Sequence, residues 1–193
     1  MKVISGFLKG RHINGYNIDG TRPTMDRVKE SLFAMIQDNI KDSTVLDLFA
    51  GSGSLGIEAI SNGAKECYFI DHNREVIKVL NQNITNLKIQ YKSKVFLSDW
   101  KKFLNESANN NLKFDLIFVD PPYDYDVYEK ILTKVSSLNL LNEGGLIILE
   151  HANLKLNETY DNLVLYKEKK YGTKSVNIYK LSWQIFLIML YFK

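Results

Sequence analysis

Cysteine, histidine and proline are all scarce in this chain of 193 residues, with one, three and three copies. A lone thiol, Cys67, cannot close an internal disulfide or build a cysteine-rich zinc site; set in an apolar strand pattern, it reads as a packed core side chain. His12, His72 and His151 are scattered, which suits surface or core roles rather than ligation, so no metal is expected. No repeat, low-complexity block or Gly/Ser/Pro linker breaks the chain, and its length fits one domain with a full core. Long apolar runs are missing too. The start, Met1-Lys2-Val3-Ile4-Ser5, lacks the apolar stretch of a secretory signal. The apolar segment 183–192 is far short of the roughly 20 residues a spanning helix needs, and it lacks the basic polar face of a membrane-surface helix. It reads as a tail packing on the domain or on a partner. The expectation is a cytoplasmic protein without membrane contact.

Charge is unevenly spread. A hydrophobic content of 45% with 24% charged residues excludes a disordered chain, and a net charge of +3 is too weak by itself to indicate a nucleic-acid partner. Its distribution is more telling. Lys2, Lys9, Arg11, Arg22, Arg27 and Lys29 face only Asp19 and Asp26 near the start, and Lys167, Lys169, Lys170 and Lys174 are relieved only by Glu168. These runs are either solvated faces or a phosphate-contacting footprint, with Lys9, Arg11, Arg22, Lys169 and Lys170 as the candidate contacts.

Turn signals at Lys9-Gly10 and Asn14-Gly15 predict a small N-terminal β-hairpin. A helix follows Arg22-Pro23, with Thr24 as N-cap and Val28, Leu32, Met35 and Ile36 on one face. From residue 44 onward, strands and helices alternate. Strands are expected at 44–49, 67–70, 94–97, 114–119 and 145–149. Helices are expected at 54–61 capped by Ser54, after Asn73, at 100–106 and at 128–138, with 107–111 a loop. Apolar strands between amphipathic helices make an α/β fold, a mostly parallel sheet covered on both faces. Ligands bind such sheets beyond the carboxyl ends of the strands, where Asp71, Asp99, Asp120 and Glu150 form a row of acids.

Two motifs carry the chemistry. Asp47-Leu48-Phe49-Ala50-Gly51-Ser52-Gly53 joins a strand to a helix. Its glycines permit a sharp turn and close backbone approach, and the helix start offers free N–H groups to an anion. Gly51, Gly53 and Gly56 also satisfy G-x-G-x-x-G, and Asp71 stands near the position of a ribose-binding acid, so a dinucleotide site stays open. A P-loop does not, because Ile57 occupies the place of its lysine. Asp47 places a negative charge at the mouth of the loop, which suits a cationic methionyl group better than a pyrophosphate. The second motif is Asp120-Pro121-Pro122-Tyr123. Two prolines fix φ and remove N–H donors, so the Pro121 carbonyl can be held outward. That carbonyl and the Asp120 carboxylate are acceptors for the two N–H donors of an amino group, and Tyr123 offers a face on which an extruded base can stack. Read alone, the tetrapeptide could be an ordinary turn with a rim aromatic. Paired with the glycine loop, it describes a site for an –NH₂ group on an aromatic ring.

The sequence resembles the RsmD family, bacterial 16S ribosomal RNA guanine-N2 methyltransferases. The likeness runs through residues 22–33, opening Arg22-Pro23-Thr24, through 45–60 and 114–123, and through Tyr171-Gly172; nothing carries over beyond Leu181. The resemblance implies a class I Rossmann-like methyltransferase fold with a seven-stranded sheet, S-adenosylmethionine as cofactor, and 16S rRNA, alone or in the small subunit, as partner of a monomeric enzyme. It implies that Thr24, Arg27, Asp47, Phe49, Gly51, Gly53, Asp71, Asp99 and Trp100 line the cofactor. Asp71 would meet the ribose hydroxyls and Asp99 the adenine amino group. Asp26 would border the same site, and Asp120, Pro121, Pro122 and Tyr123 would hold the guanine. The corresponding division is an N-terminal hairpin extension over 1–23, a methyltransferase domain over 24–181 and a tail over 182–193. Alternatives from the residues are an adenine-N6 or cytosine-N4 methyltransferase acting on DNA or RNA, an NAD-dependent oxidoreductase, and a non-catalytic RNA-binding protein on the same fold.

Overall fold

A computed structural model describes residues 1–15, 23–121, 126–152 and 154–182. Its centre is a sheet of strands β1 (Thr44–Asp47), β2 (Glu66–Asp71), β3 (Ser93–Leu97), β4 (Phe114–Val119), β5 (Leu141–His151), β6 (Thr159–Tyr160), β7 (Leu163–Tyr171) and β8 (Lys174–Leu181). They lie in the order β3-β2-β1-β4-β5-β8-β7-β6. The first five pair in parallel, whereas β8, β7 and β6 are antiparallel. Eight strands among the described residues replace the expected seven, because two residues, Thr159 and Tyr160, fold back to pair with Leu163 and Val164. The chain runs outward from β1 through β2 to β3, then returns to place β4 on the other side of β1. The switch point, where such sheets bind ligands, therefore lies between β1 and β4.

Alternation along the strands sends side chains into two cores. Val45, Leu116, Phe118, Leu146 and Ile148 meet helices α1 (Pro23–Ile36), α2 (Ser54–Ser61) and α3 (Arg74–Leu87) on one face. Leu46, Ile117, Val119, Ile147 and Leu149 meet α4 (Trp100–Asn109) and α5 (Asp126–Ser137) on the other. Burial on both faces is why these strands read as continuous apolar runs.

Several local expectations change. Helix α1 begins at Pro23, so Thr24 lies inside its first turn rather than at the N-cap; proline suits that first position because its missing N–H would have no partner there. The N-cap of α2 is Gly53, not Ser54. Helix α4 continues through the expected loop to Asn109, burying Ser107, whose hydroxyl donates to the Phe103 carbonyl at 2.9 Å. Asn73 caps α3 as expected, its side chain accepting the Glu75 and Val76 N–H groups. The N-terminal hairpin is one antiparallel bridge, Lys2 with His12, around a 3-10 turn at Gly6–Leu8 rather than a ladder. Val3, Leu8 and Ile13 bury into the core shared with α1, α2 and α3. No helix among the described residues is long and apolar enough to cross a membrane.

Candidate active site

The loop after β1 is wedged between its neighbours: the Leu48 N–H donates to Phe118 O at 3.1 Å and the Ala50 N–H to Ile70 O at 2.9 Å. Gly53 turns the chain into α2 with φ of 85°, in the left-handed region that glycine enters without steric cost. Gly56 answers a different demand. A Cβ there would lie 2.3 Å from Phe69 Cε1 and 2.6 Å from Cys67 Sγ, so only glycine lets α2 press onto β2.

Asp47 does not stand at the mouth of this loop. It is 3% exposed and sits beneath it, with Oδ2 accepting the Gly56 N–H at 2.9 Å. Burial pushes its carboxyl up to about 7 against the pull of that N–H, and the nearby Asp71 charge adds to the rise. Asp71, at the end of β2, braces the loop from the side: Oδ2 accepts the Gly51 N–H at 3.1 Å and Oδ1 the Asn73 N–H at 2.9 Å. Asp99 is exposed beyond β3 and caps α4, accepting the Lys101 and Lys102 N–H groups at 2.8 and 3.3 Å. Phe49 and Trp100 are half-buried against the α4/α5 core.

Asp120 follows β4 directly, on the strand adjacent to β1, and so lies at the same edge of the sheet as the glycine loop. Asp120 is an exposed residue, yet the protein around its carboxyl takes away part of its hydration. That partial loss of hydration and the Glu150 charge push it up to about 7; Lys174 opposes the rise and Asp47 adds to it. Lys174 forms an ion pair with Glu150, and the Tyr128 hydroxyl donates to the Glu150 carbonyl at 2.6 Å. Pro121 is buried. Arg22, Pro122 and Tyr123, and the side chain of Thr24, lie outside the described residues.

The expected row of acids is present, and Asp47 belongs to it. The second basic run is not one surface. Period-two alternation turns Lys169 toward α1, where Nζ donates to Ser31 Oγ at 2.8 Å. Lys170 turns to the opposite face, 3.8 Å from Glu168. Lys174 is spent on Glu150. Lys9 and Arg11 are exposed on the N-terminal turn, where Arg11 Nη2 donates to Asn86 O at 3.1 Å. Arg27 is exposed on α1.

Sequence reasoning missed three buried polar groups around the loop. Asn83 occupies the apolar stripe of α3 among Leu80, Ile84 and Leu87, a polar residue at a core position that the periodicity could have flagged. Lys29 and Glu58 form an ion pair at 3.1 Å with almost no exposure; no spacing rule connects residues so far apart.

Residues 1–180 match the family described as Conserved hypothetical protein 95. Among relatives, YlbH of Bacillus subtilis, named as a candidate rRNA methyltransferase, is 39% identical over 181 residues, covering 93% of this chain and 98% of its own. Ribosomal RNA small subunit methyltransferase D of Haemophilus influenzae is 34% identical over 180 residues, covering 93% of each. The solved structure of yhhF from Escherichia coli superimposes with a TM-score of 0.81 at 28% identity, covering 94% of this chain and 98% of that one.

Proposed function

The chain belongs to the family of ribosomal RNA small subunit methyltransferase D, and from that premise we propose that it methylates the exocyclic N2 amino group of a guanine in 16S ribosomal RNA, with S-adenosylmethionine as donor. One observation carries the reading: the glycine loop follows β1 and Asp120 follows β4, and because the two strands pair in parallel both lie at the same carboxyl edge of the sheet, at its switch point.

The residues present fit the donor. Glycine-loop backbone and the α2 N-terminus suit its methionyl end, while Asp71 and Asp99, at the ends of β2 and β3, suit ribose hydroxyls and an adenine amino group. Both acids already accept backbone N–H bonds, but a carboxylate has about four lone-pair sites and can accept more. When bound, S-adenosylmethionine supplies an electrophilic methyl group on a sulfonium.

The guanine N2 lone pair is delocalised into the ring and is a poor nucleophile. The Asp120 carboxylate accepts one N–H of the amino group and orients its lone pair toward the methyl carbon, so positioning supplies much of the rate. Positive charge grows on nitrogen as the N–C bond forms and the methyl–sulfur bond breaks, leaving S-adenosylhomocysteine, and a carboxylate at that nitrogen stabilises the charge more than it does the ground state. One N–H proton must then leave. A carboxyl with a pKa of about 7 is matched to take it near neutral pH. Tyr123 is assigned to stacking on the extruded base. The enzyme is taken to act in the cytoplasm as a monomer, on rRNA alone or within the small subunit.

The test supplies labelled S-adenosylmethionine with small subunits, stripped rRNA and DNA, all from cells lacking the enzyme. Label should enter N2-methylguanine of 16S rRNA. Label confined to DNA, or recovered in adenine or cytosine, would overturn the assignment.

A further inference from the structure

The glycine loop is held from a third direction, by a buried amide on α3. Asn83 is 1% exposed. Its Nδ2 donates to the Ser52 carbonyl at 3.0 Å and to the Asn14 carbonyl at 2.9 Å, and its Oδ1 accepts the Asn14 N–H at 2.9 Å. Both amide protons and the acceptor are thereby satisfied. An apolar side chain would serve the helix stripe equally well, so the amide at this core position is accounted for by the two backbones it joins.

A second buried group works beside it. Glu58 accepts the Ile4 N–H and, at 2.8 Å, both the Ser5 N–H and the Ser5 hydroxyl. It pairs with Lys29, whose Nζ also donates to Ser54 Oγ and to Lys2 O, each at 3.1 Å. The N-terminal segment is thus fastened near Lys2–Ser5 and again at Asn14. The two fastenings end on Ser52 and Ser54, either side of Gly53.

A peptide unit is planar, so pinning the Ser52 carbonyl also aims the Gly53 N–H, which donates to Ala50 O at 2.7 Å. We infer that Asn83 is a positioning residue for the donor site, fixing the Ser52–Gly53 peptide and making residues 1–15 part of that site. The inference rests on the reading that the glycine loop receives S-adenosylmethionine. It gives the N-terminal segment a task that does not depend on whether Lys9 and Arg11 contact RNA.

The test measures S-adenosylhomocysteine binding to the full chain by calorimetry. Asn83→Asp keeps the size of the side chain but cannot donate, and it sets a carboxylate against two carbonyls; Asn83→Ala removes all three bonds. Each should weaken binding about tenfold or more. Ile84→Ala is the control, one residue along the same helix, buried and apolar. It should lower the melting temperature while leaving the dissociation constant within about twofold. A folded Asn83→Asp protein that binds normally would overturn the inference, as would an equal loss in Ile84→Ala. A further readout needs no variant. Because coupling between sites is reciprocal, adding S-adenosylhomocysteine to the wild type should slow hydrogen exchange at Asn14 along with Gly53. Protection of Gly53 alone would also overturn it. Wild-type protein that binds no S-adenosylhomocysteine would instead defeat the donor assignment itself.

Discussion

The Asp47 carboxylate lies under the turn it introduces, its Oδ2 accepting the Gly56 N–H nine residues further on at 2.9 Å. The bond closes the loop on itself and buries an acid whose pKa is raised from 3.8 to about 7. The direction of its effect on stability follows. Below about pH 4 the carboxyl is neutral in both folded and unfolded chains and contributes no pH dependence. Between about 4 and 7 the unfolded chain ionises while the folded one stays protonated, so stability falls as pH rises through that window and then levels off. Asn at this position keeps an acceptor for Gly56 and removes the titration. In ligand-free urea melts between pH 5 and 8, Asp47→Asn should lose less stability than wild type, by on the order of 2–4 kcal/mol. Identical slopes would show that burial of Asp47 costs the fold nothing.

The same substitution separates charge from shape in donor binding. S-adenosylmethionine carries a sulfonium charge and S-adenosylhomocysteine does not. If the ionised Asp47 attracts the donor through the loop, Asp47→Asn should weaken S-adenosylmethionine more than its product, by about 5- to 30-fold in the ratio of dissociation constants, a coupling of roughly 1–2 kcal/mol. An unchanged ratio would confine Asp47 to bracing Gly56.

Asp120 should govern the pH profile of transfer. Its carboxylate is the accepting form and its pKa is raised to about 7, so kcat/KM should climb with pH through that region and level above it. Glu150 raises the Asp120 pKa and Lys174 lowers it. Glu150→Gln should therefore move the rising limb to lower pH, and Lys174→Met should move it higher. Asp120→Ala should keep S-adenosylhomocysteine binding while transfer falls by about 100-fold or more. A limb that ignores both neighbours would assign it to another group.

Much of this was legible in the residues. The strand at Phe114–Val119 and the Asn73 cap follow from runs and spacings confined to a few neighbours, and both occur as read. Errors arose where a tertiary partner decided the matter. Residues 107–111 looked like a loop because they are polar, yet α4 continues because Ser107 bonds back to the Phe103 carbonyl and can be buried. Asp47 could be placed near the glycine loop from sequence, but not beneath it, since that depends on where α2 packs. The Asn83 clasp depends on Asn14, 69 residues away, and no local pattern contains it.

Gly56 tests how tightly α2 must sit. A methyl group there would meet Phe69 and Cys67 inside the core at 2.3 and 2.6 Å, where no flexible end can yield. Gly56→Ala should cost about 1–3 kcal/mol, a fall in melting temperature of roughly 3–10 °C for a domain of this size. Donor affinity should fall with it, because the Gly56 N–H is the partner of Asp47. An unchanged melting curve would mean that the helix can move off the sheet at little cost.

Lys169 and Lys170 are adjacent in sequence, yet the sheet sends them to opposite faces, and that decides which of them RNA can use. Lys169 shares its face with α1, the helix that also carries Arg27, and its ammonium reaches Ser31. Lys170 lies beside Glu168 on the face bordered by residues 154–158. One RNA strand that followed the α1 side from the Asp120 end of the sheet would meet the first lysine and not the second. Each phosphate contact releases condensed counterions, so its loss reduces the slope of log K against log salt by about 0.7–0.9. Binding of stripped 16S rRNA at several salt concentrations should show that reduction for Lys169→Gln and little change for Lys170→Gln. The opposite pattern would move the RNA path to the face of residues 154–158, and equal reductions would require RNA to wrap the edge of β7.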